Sequence, residues 1–286
     1  MAERLKYITA VVLYGTIGMF LRQISLPTEM VAMARGAVGA LMIVTWMRLR
    51  GERMDWGAVR RNLRWLLISG VSLGLNWIFL FAAYVRTTVA IASLCNYLAP
   101  ALVVLTAPLI LREPLNRRKL PCVFGALLGV ALVSGILEGA TGETAGVLLG
   151  LAAAVGFMVI VLCNRRLEGI SSLDRAAVQL ALSALTILPY VLWANRGAVI
   201  QPGLKDILLT LMICVVQTGF AYVLYFSGMA TLPVQSVAVL GYLEPAVSVL
   251  CSALFLHERM TLAGWIGALL ILASAVVSEC IPERKG

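Results

Sequence analysis

The sequence predicts an all-α membrane protein, ten transmembrane helices built as two inverted five-helix repeats with the N- and C-termini cytoplasmic. Three observations carry that prediction. Hydrophobic residues make up 61% of the 286-residue chain and charged residues 13%, against roughly 45–50% and about 25% in soluble domains. The basic residues fall on alternate connections between apolar segments. A stretch of the chain also repeats 145 positions later: Asn96-Tyr97-Leu98-Ala99-Pro100-Ala101 returns as Gly241-Tyr242-Leu243-Glu244-Pro245-Ala246.

The spans follow in order, each bounded by charge or by Pro and Gly. A first apolar segment, 7–24, begins after Arg4 and Lys6 and is closed by Arg22; no small-residue cleavage site follows it, so it reads as a span and not as a leader. The second, 29–48, holds Arg35 about two turns in. The basic stretch 49–63 separates it from the third, 64–84, and the fourth, 88–111, has Pro100 near its middle. The fifth, 118–137, contains Gly125 and Gly129. A polar, glycine-punctuated stretch over 138–143 then marks the boundary between a first half, 1–140, and a second, 141–286. The second set is 145–163, 174–193, 205–226, 234–256 and 261–280, with Pro202-Gly203 in the turn before the eighth. A span needs about 20 apolar residues, and lipid admits only helices or closed barrels, so segments of this length are helices. Five is an odd number, so the second copy enters the bilayer upside down.

Charge fixes the orientation. With the N-terminus inside, 17 Lys and Arg residues fall on the cytoplasmic side, among them Arg48, Arg50, Arg53, Arg60, Arg61, Arg165, Arg166 and Arg175. Five fall outside: Arg22, Arg86, Arg196, Lys205 and Arg259. That is a positive-inside pattern. The net charge of +9 is thus topology and does not point to nucleic acid. The six cysteines lie in or at the ends of apolar segments without metal-ligand spacing, so neither disulfide nor metal is expected.

From 74 to 113 the 145-residue offset gives 12 identities in 40 positions without a gap, Glu113 falling on Glu258. Apolar chains built as two related halves mark many transporters, whose substrate sits where the halves meet. Leu111-Arg112-Glu113-Pro114-Leu115 followed by the 125–132 glycine segment resembles the end of one repeat of the EamA-type drug/metabolite transporters. Leu256-His257-Glu258-Arg259-Met260 with the 264–271 segment resembles its second copy. Within that superfamily the chain looks most like the bacterial exporters of aromatic and other amino acids. The resemblance implies a multi-pass inner-membrane protein that exports small amphiphilic metabolites through a central cavity.

Several residues are candidates to line that cavity. Trp77 maps on Tyr222 and Phe81 on Phe226, each pair on one helical face, with Asn76, Gln217 and Tyr225 nearby. Aromatic walls with a few amides and hydroxyls suit an amino acid; the same rings could equally pack helices. Asn96, Tyr97 and Pro100 in one half, and Tyr242 and Pro245 in the other, bracket proline bends whose freed carbonyls need partners. Glu244 is an acid deep in an apolar run whose repeat mate is Ala99. Intramembrane acids are functional candidates by default, and this one could hold a substrate ammonium or a coupling proton. Arg35 could meet a substrate carboxylate, although snorkelling or a structural ion pair is the stronger expectation. Glu113 and Glu258 read as anchors of turns, and His257 as solvated surface.

No phosphate-binding glycine loop or catalytic dyad is present. The sequence therefore predicts a transporter, not an enzyme, without a cofactor. Its expected partners are an amino-acid substrate and membrane lipid, not nucleic acid, and a monomer is compatible with it. The alternatives are export of another amphiphilic metabolite or drug, proton-coupled or not, and, further off, a membrane enzyme or interaction protein.

Overall fold

The computed structural model describes residues 2–111, 117–133, 144–197, 200–229, 232 and 240–281. Glu113, Pro114 and the 138–143 boundary lie outside the described residues. Among the described residues the chain is helical throughout, with no strand. Seven stretches are long and apolar enough to cross a membrane: Glu3–Leu21, Thr28–Leu49, Leu63–Arg86, Val89–Ile110, Thr144–Asn164, Ser172–Ala194 and Leu204–Gly228. Two shorter apolar helices, Leu243–Phe255 and Leu262–Ser278, accompany them.

The first crossing comprises α1 (Ala2–Gly15) and α2 (Ile17–Leu21), joined at Thr16, whose hydroxyl bonds back to the Leu13 carbonyl at 2.7 Å. Helix α3 (Thr28–Leu49) returns, α4 (Trp56–Arg61) lies in the basic connection, and α5 (Leu63–Arg86) crosses unbroken. The fourth crossing is split into α6 (Val89–Asn96) and α7 (Ala99–Ile110). Pro100 is the cause: it sits in the first turn of α7 and cannot donate to the carbonyl of Asn96. Helices α8 (Leu120–Val133), α9 (Thr144–Asn164) and α10 (Ser172–Ala194) follow, the last capped by the Ser171 side chain. The next crossing is α11 (Leu204–Cys214), a π-helical turn over Val215–Phe220, and α12 (Ala221–Met229). Helices α13 (Leu243–Phe255) and α14 (Leu262–Cys280) complete the fold.

Small residues set the closest approaches. A Cβ on Gly129 would lie 2.7 Å from the Gly267 carbonyl oxygen, and one on Gly267 would lie 2.5 Å from that of Gly129, so α8 and α14 cross backbone to backbone. Gly146 and Gly150 let α9 pack closely on Thr87 and Cys95. The outward surface is apolar: Leu109, Leu262, Phe124 and Leu254 are exposed. In water that surface would drive aggregation; against lipid it is the ordinary condition.

Candidate substrate cavity

Several polar groups buried in this apolar bundle, Arg35, Asn76, Asn96 and Gln179, meet at one cavity. A cavity of about 270 Å³ lies between α1, α3, α5, α6, α9, α10, α12 and α13. Asn76, Trp77, Phe81, Asn96, Tyr97, Tyr222, Phe226, Glu244 and Arg35 all line it, so most of the candidates read from sequence meet on one surface. A larger groove, about 1060 Å³, runs along the outside of α3 and α10 beneath the 51–56 connection. Its walls are mainly Leu, Val, Ala and Met, with Arg48, Glu52 and Arg53 at the connection, and the candidates read from sequence are elsewhere.

Arg35 is placed differently from the stronger sequence expectation. It neither snorkels nor, among the described residues, finds a carboxylate partner within ion-pair distance. It is 7% exposed, its guanidinium lies 4.2 Å from the centre of the Trp77 ring, and its Nε donates to the Thr218 hydroxyl at 2.9 Å. The last contact is made from the π-helical turn. Within it the Thr218 hydroxyl donates to the Ile213 carbonyl at 2.9 Å and accepts from Arg35. Stacking over an aromatic ring helps hold the cation in the bundle without a direct ion pair among the described residues.

Glu244 lines the cavity from the first turn of α13 and is partly accessible within it. Tyr97 lines the cavity beside it. Tyr97 occupies the break between α6 and α7, with its ring 6.3 Å from that of Tyr242. The two proline segments therefore face each other. Asn76 is committed to structure: its amide donates to Asn96 at 3.0 Å and to the Ala153 carbonyl at 2.7 Å, tying α5, α6 and α9.

Four candidates stand behind the lining. Gln217 is fully buried, and its amide donates to Thr16 at 2.5 Å. Pro100 and Pro245 border small clefts beside the cavity, and Tyr242 packs against Tyr97. Sequence reasoning did not single out Tyr14, Tyr84, Asn164, Arg175 or Gln179 as lining residues. Tyr14 rests between Tyr222 and Tyr225, with ring centres 5.7 and 5.9 Å away, and its buried hydroxyl has no hydrogen-bond partner among the described residues. A mid-span tyrosine was the available signal. Asn164, Arg175 and Gln179 carry the lining to the arginine-rich end of the bundle.

At the opposite end, side chains bond across the bundle. Tyr84, Ser93 and Ser248 are hydrogen-bonded in series at 3.2 and 2.6 Å. Beyond them the Glu258 carboxylate accepts from Arg22 at 2.9 Å, from the Val89 amide at 2.9 Å and from the Ser252 hydroxyl at 2.5 Å. Glu258 anchors its turn, as expected, and also reaches two other crossings. His257, beside it, is exposed, with a φ of 52°.

An acid, two guanidiniums, amides and aromatic walls can hold a small polar solute and exclude lipid from it. Among the described residues no cluster of His, Cys, Asp and Glu could hold a metal ion. A multi-pass helical membrane protein with a central polar cavity has the form of a transporter. The comparisons agree. The EamA-like transporter family model matches residues 5–135 and again 144–279, and the chain belongs to that family. It is 25% identical to the uncharacterized transporter YxxF of Bacillus subtilis, over 99% of this chain and 90% of that one. To the uncharacterized inner membrane transporter YicL of Salmonella typhimurium it is 24% identical, over 98% and 96%. A solved crystal structure with 23% identity superposes with a TM-score of 0.68, covering 97% of each chain.

Proposed function

We propose that the protein is a secondary transporter of the bacterial inner membrane that exports amino acids, aromatic and other neutral ones, by alternating access. In this reading ten helices form two inverted halves, 1–140 and 141–286, with both termini cytoplasmic. The cavity then reaches the cytoplasmic end at Asn164 and Arg175, and the Glu258 end faces outward.

The observation that carries the substrate class is the pairing of opposite charges within one aromatic-walled cavity. Glu244 can receive an ammonium, and Arg35, held flat on Trp77, can receive a carboxylate. Each charge of a zwitterion then replaces its lost hydration with a fixed partner. The size supports the same reading: about 270 Å³ lies just below the roughly 300–1,000 Å³ of sites for drug-sized ligands. A single amino acid suits it better than a drug.

The test is uptake of radiolabelled phenylalanine, threonine and methionine into proteoliposomes, with empty liposomes as control and an imposed pH gradient as variable. Saturable uptake is the expected result, and its response to the gradient decides between proton coupling and facilitated flux. Correctly folded preparations that take up none of the three would refute the amino-acid reading.

A further inference from the structure

We propose that Glu258 is the latch of the outer gate, the group that must release Arg22 and the start of α6 before the cavity can open outward. The proposal rests on the alternating-access reading above.

Glu258 is bonded beyond what its turn requires. A turn anchor needs Ser252, six positions away, and the carboxylate has that bond. The remaining two bonds reach far along the chain, to Arg22, 236 positions away, and to Val89, 169 positions away. Both belong to the first half, so one side chain of the second half ties down the ends of two crossings of the first. The site suits an anion. Val89 is the first residue of α6, where backbone N–H groups lack helical acceptors and the helix dipole is positive. Thr88 caps Ile91, leaving the Val89 amide for Glu258. The carboxylate is only 9% exposed, while Arg22, reaching over it, is 33% exposed.

Beneath this layer lies the Tyr84–Ser93–Ser248 series, which joins α5, α6 and α13 directly above the cavity. Opening outward means parting α6 from α13, and neither the serine pair nor the Glu258–Val89 bond can persist through that movement. Losing the Glu258 bonds should therefore shift the population toward the outward-open state. Each charge-assisted bond lost carries a shift of roughly tenfold or more.

The experiment places a reporter in the lower layer, Ser248→Cys, and labels it in intact cells with a membrane-impermeant maleimide. The same proteins lacking the reporter set the background from the native cysteines. Glu258→Gln and Arg22→Gln should each label roughly tenfold or more faster than the reporter alone. Arg259→Gln, a neighbouring exposed arginine outside the latch, should label at the reporter's own rate. Equal labelling in all four proteins overturns the proposal. Should Glu258→Gln fail to fold, Arg22→Gln decides, because it leaves the bonds to Val89 and Ser252 in place. The readout needs no substrate: faster labelling without amino-acid flux would count against the substrate assignment and leave the latch standing. Unchanged labelling alongside flux would refute the latch alone.

Discussion

Replacing Arg35 by glutamine separates a substrate receptor from a structural cation. The guanidinium does two things, and they have different sizes and different readouts. It stacks on Trp77 at 4.2 Å, which contributes about 0.5–2 kcal/mol to the folded state. It also presents to the cavity donors that have no partner among the described residues, Nε alone being bonded, to Thr218. A substrate carboxylate bound there gains charge-assisted bonds of about 1.5–3 kcal/mol, or about a 10- to 150-fold change in affinity. The assay compares phenylalanine with phenethylamine, the same molecule without its carboxylate, as competitors of uptake. Arg35→Gln should weaken phenylalanine by that factor and leave phenethylamine within about threefold, a double-difference that cancels any general damage. The stacking loss should appear separately, as a lower melting temperature. Equal weakening of both competitors would refute the carboxylate assignment and reduce Arg35 to a packing residue.

Three further outcomes follow from the same structure. Glu244→Gln keeps the shape of the side chain but loses the charge, and uptake of a zwitterion should fall at least about fivefold; wild-type rates at every pH would remove Glu244 from the mechanism. Gly129→Leu would drive a side chain into the Gly267 carbonyl and Ile271 of the facing helix. It should lower stability by about 1–3 kcal/mol, read as a reduced melting temperature in detergent, and an unchanged melting curve would contradict the crossing. Glu113→Gln, at the repeat mate of Glu258, tests whether the halves exchange roles. It should slow outside labelling of the Ser248→Cys reporter, opposite to Glu258→Gln, and acceleration would count against inverted repeats.

What could be read from the sequence, and what could not, divides along physical lines. Composition and the 145-residue repeat disclose helices, spans and family, because lipid leaves the backbone few choices and each span must be written in apolar residues. The aromatic positions Trp77 and Tyr222 and the acid Glu244 were legible because polar or bulky groups in such spans stand out against their neighbours. Arg35 was visible as a residue but not in its role. Whether an arginine snorkels or stays depends on what awaits it inside, and here that is the face of Trp77 and the hydroxyl of Thr218. Thr218 lies in a π-helical turn over Val215–Phe220, and no residue type or motif in the sequence announces such a turn. The reach of Glu258 was hidden for a similar reason. Its bond to Ser252 is local and fits a turn, whereas its bonds to Arg22 and Val89 exist only once the two halves are assembled. The groups assigned the largest share of function here, Arg35 and Glu258, are thus those whose partners lie on other crossings, Thr218 183 and Arg22 236 positions away. In the proposed alternating-access cycle such partnerships can be exchanged, whereas a bond inside one helix stays with that helix.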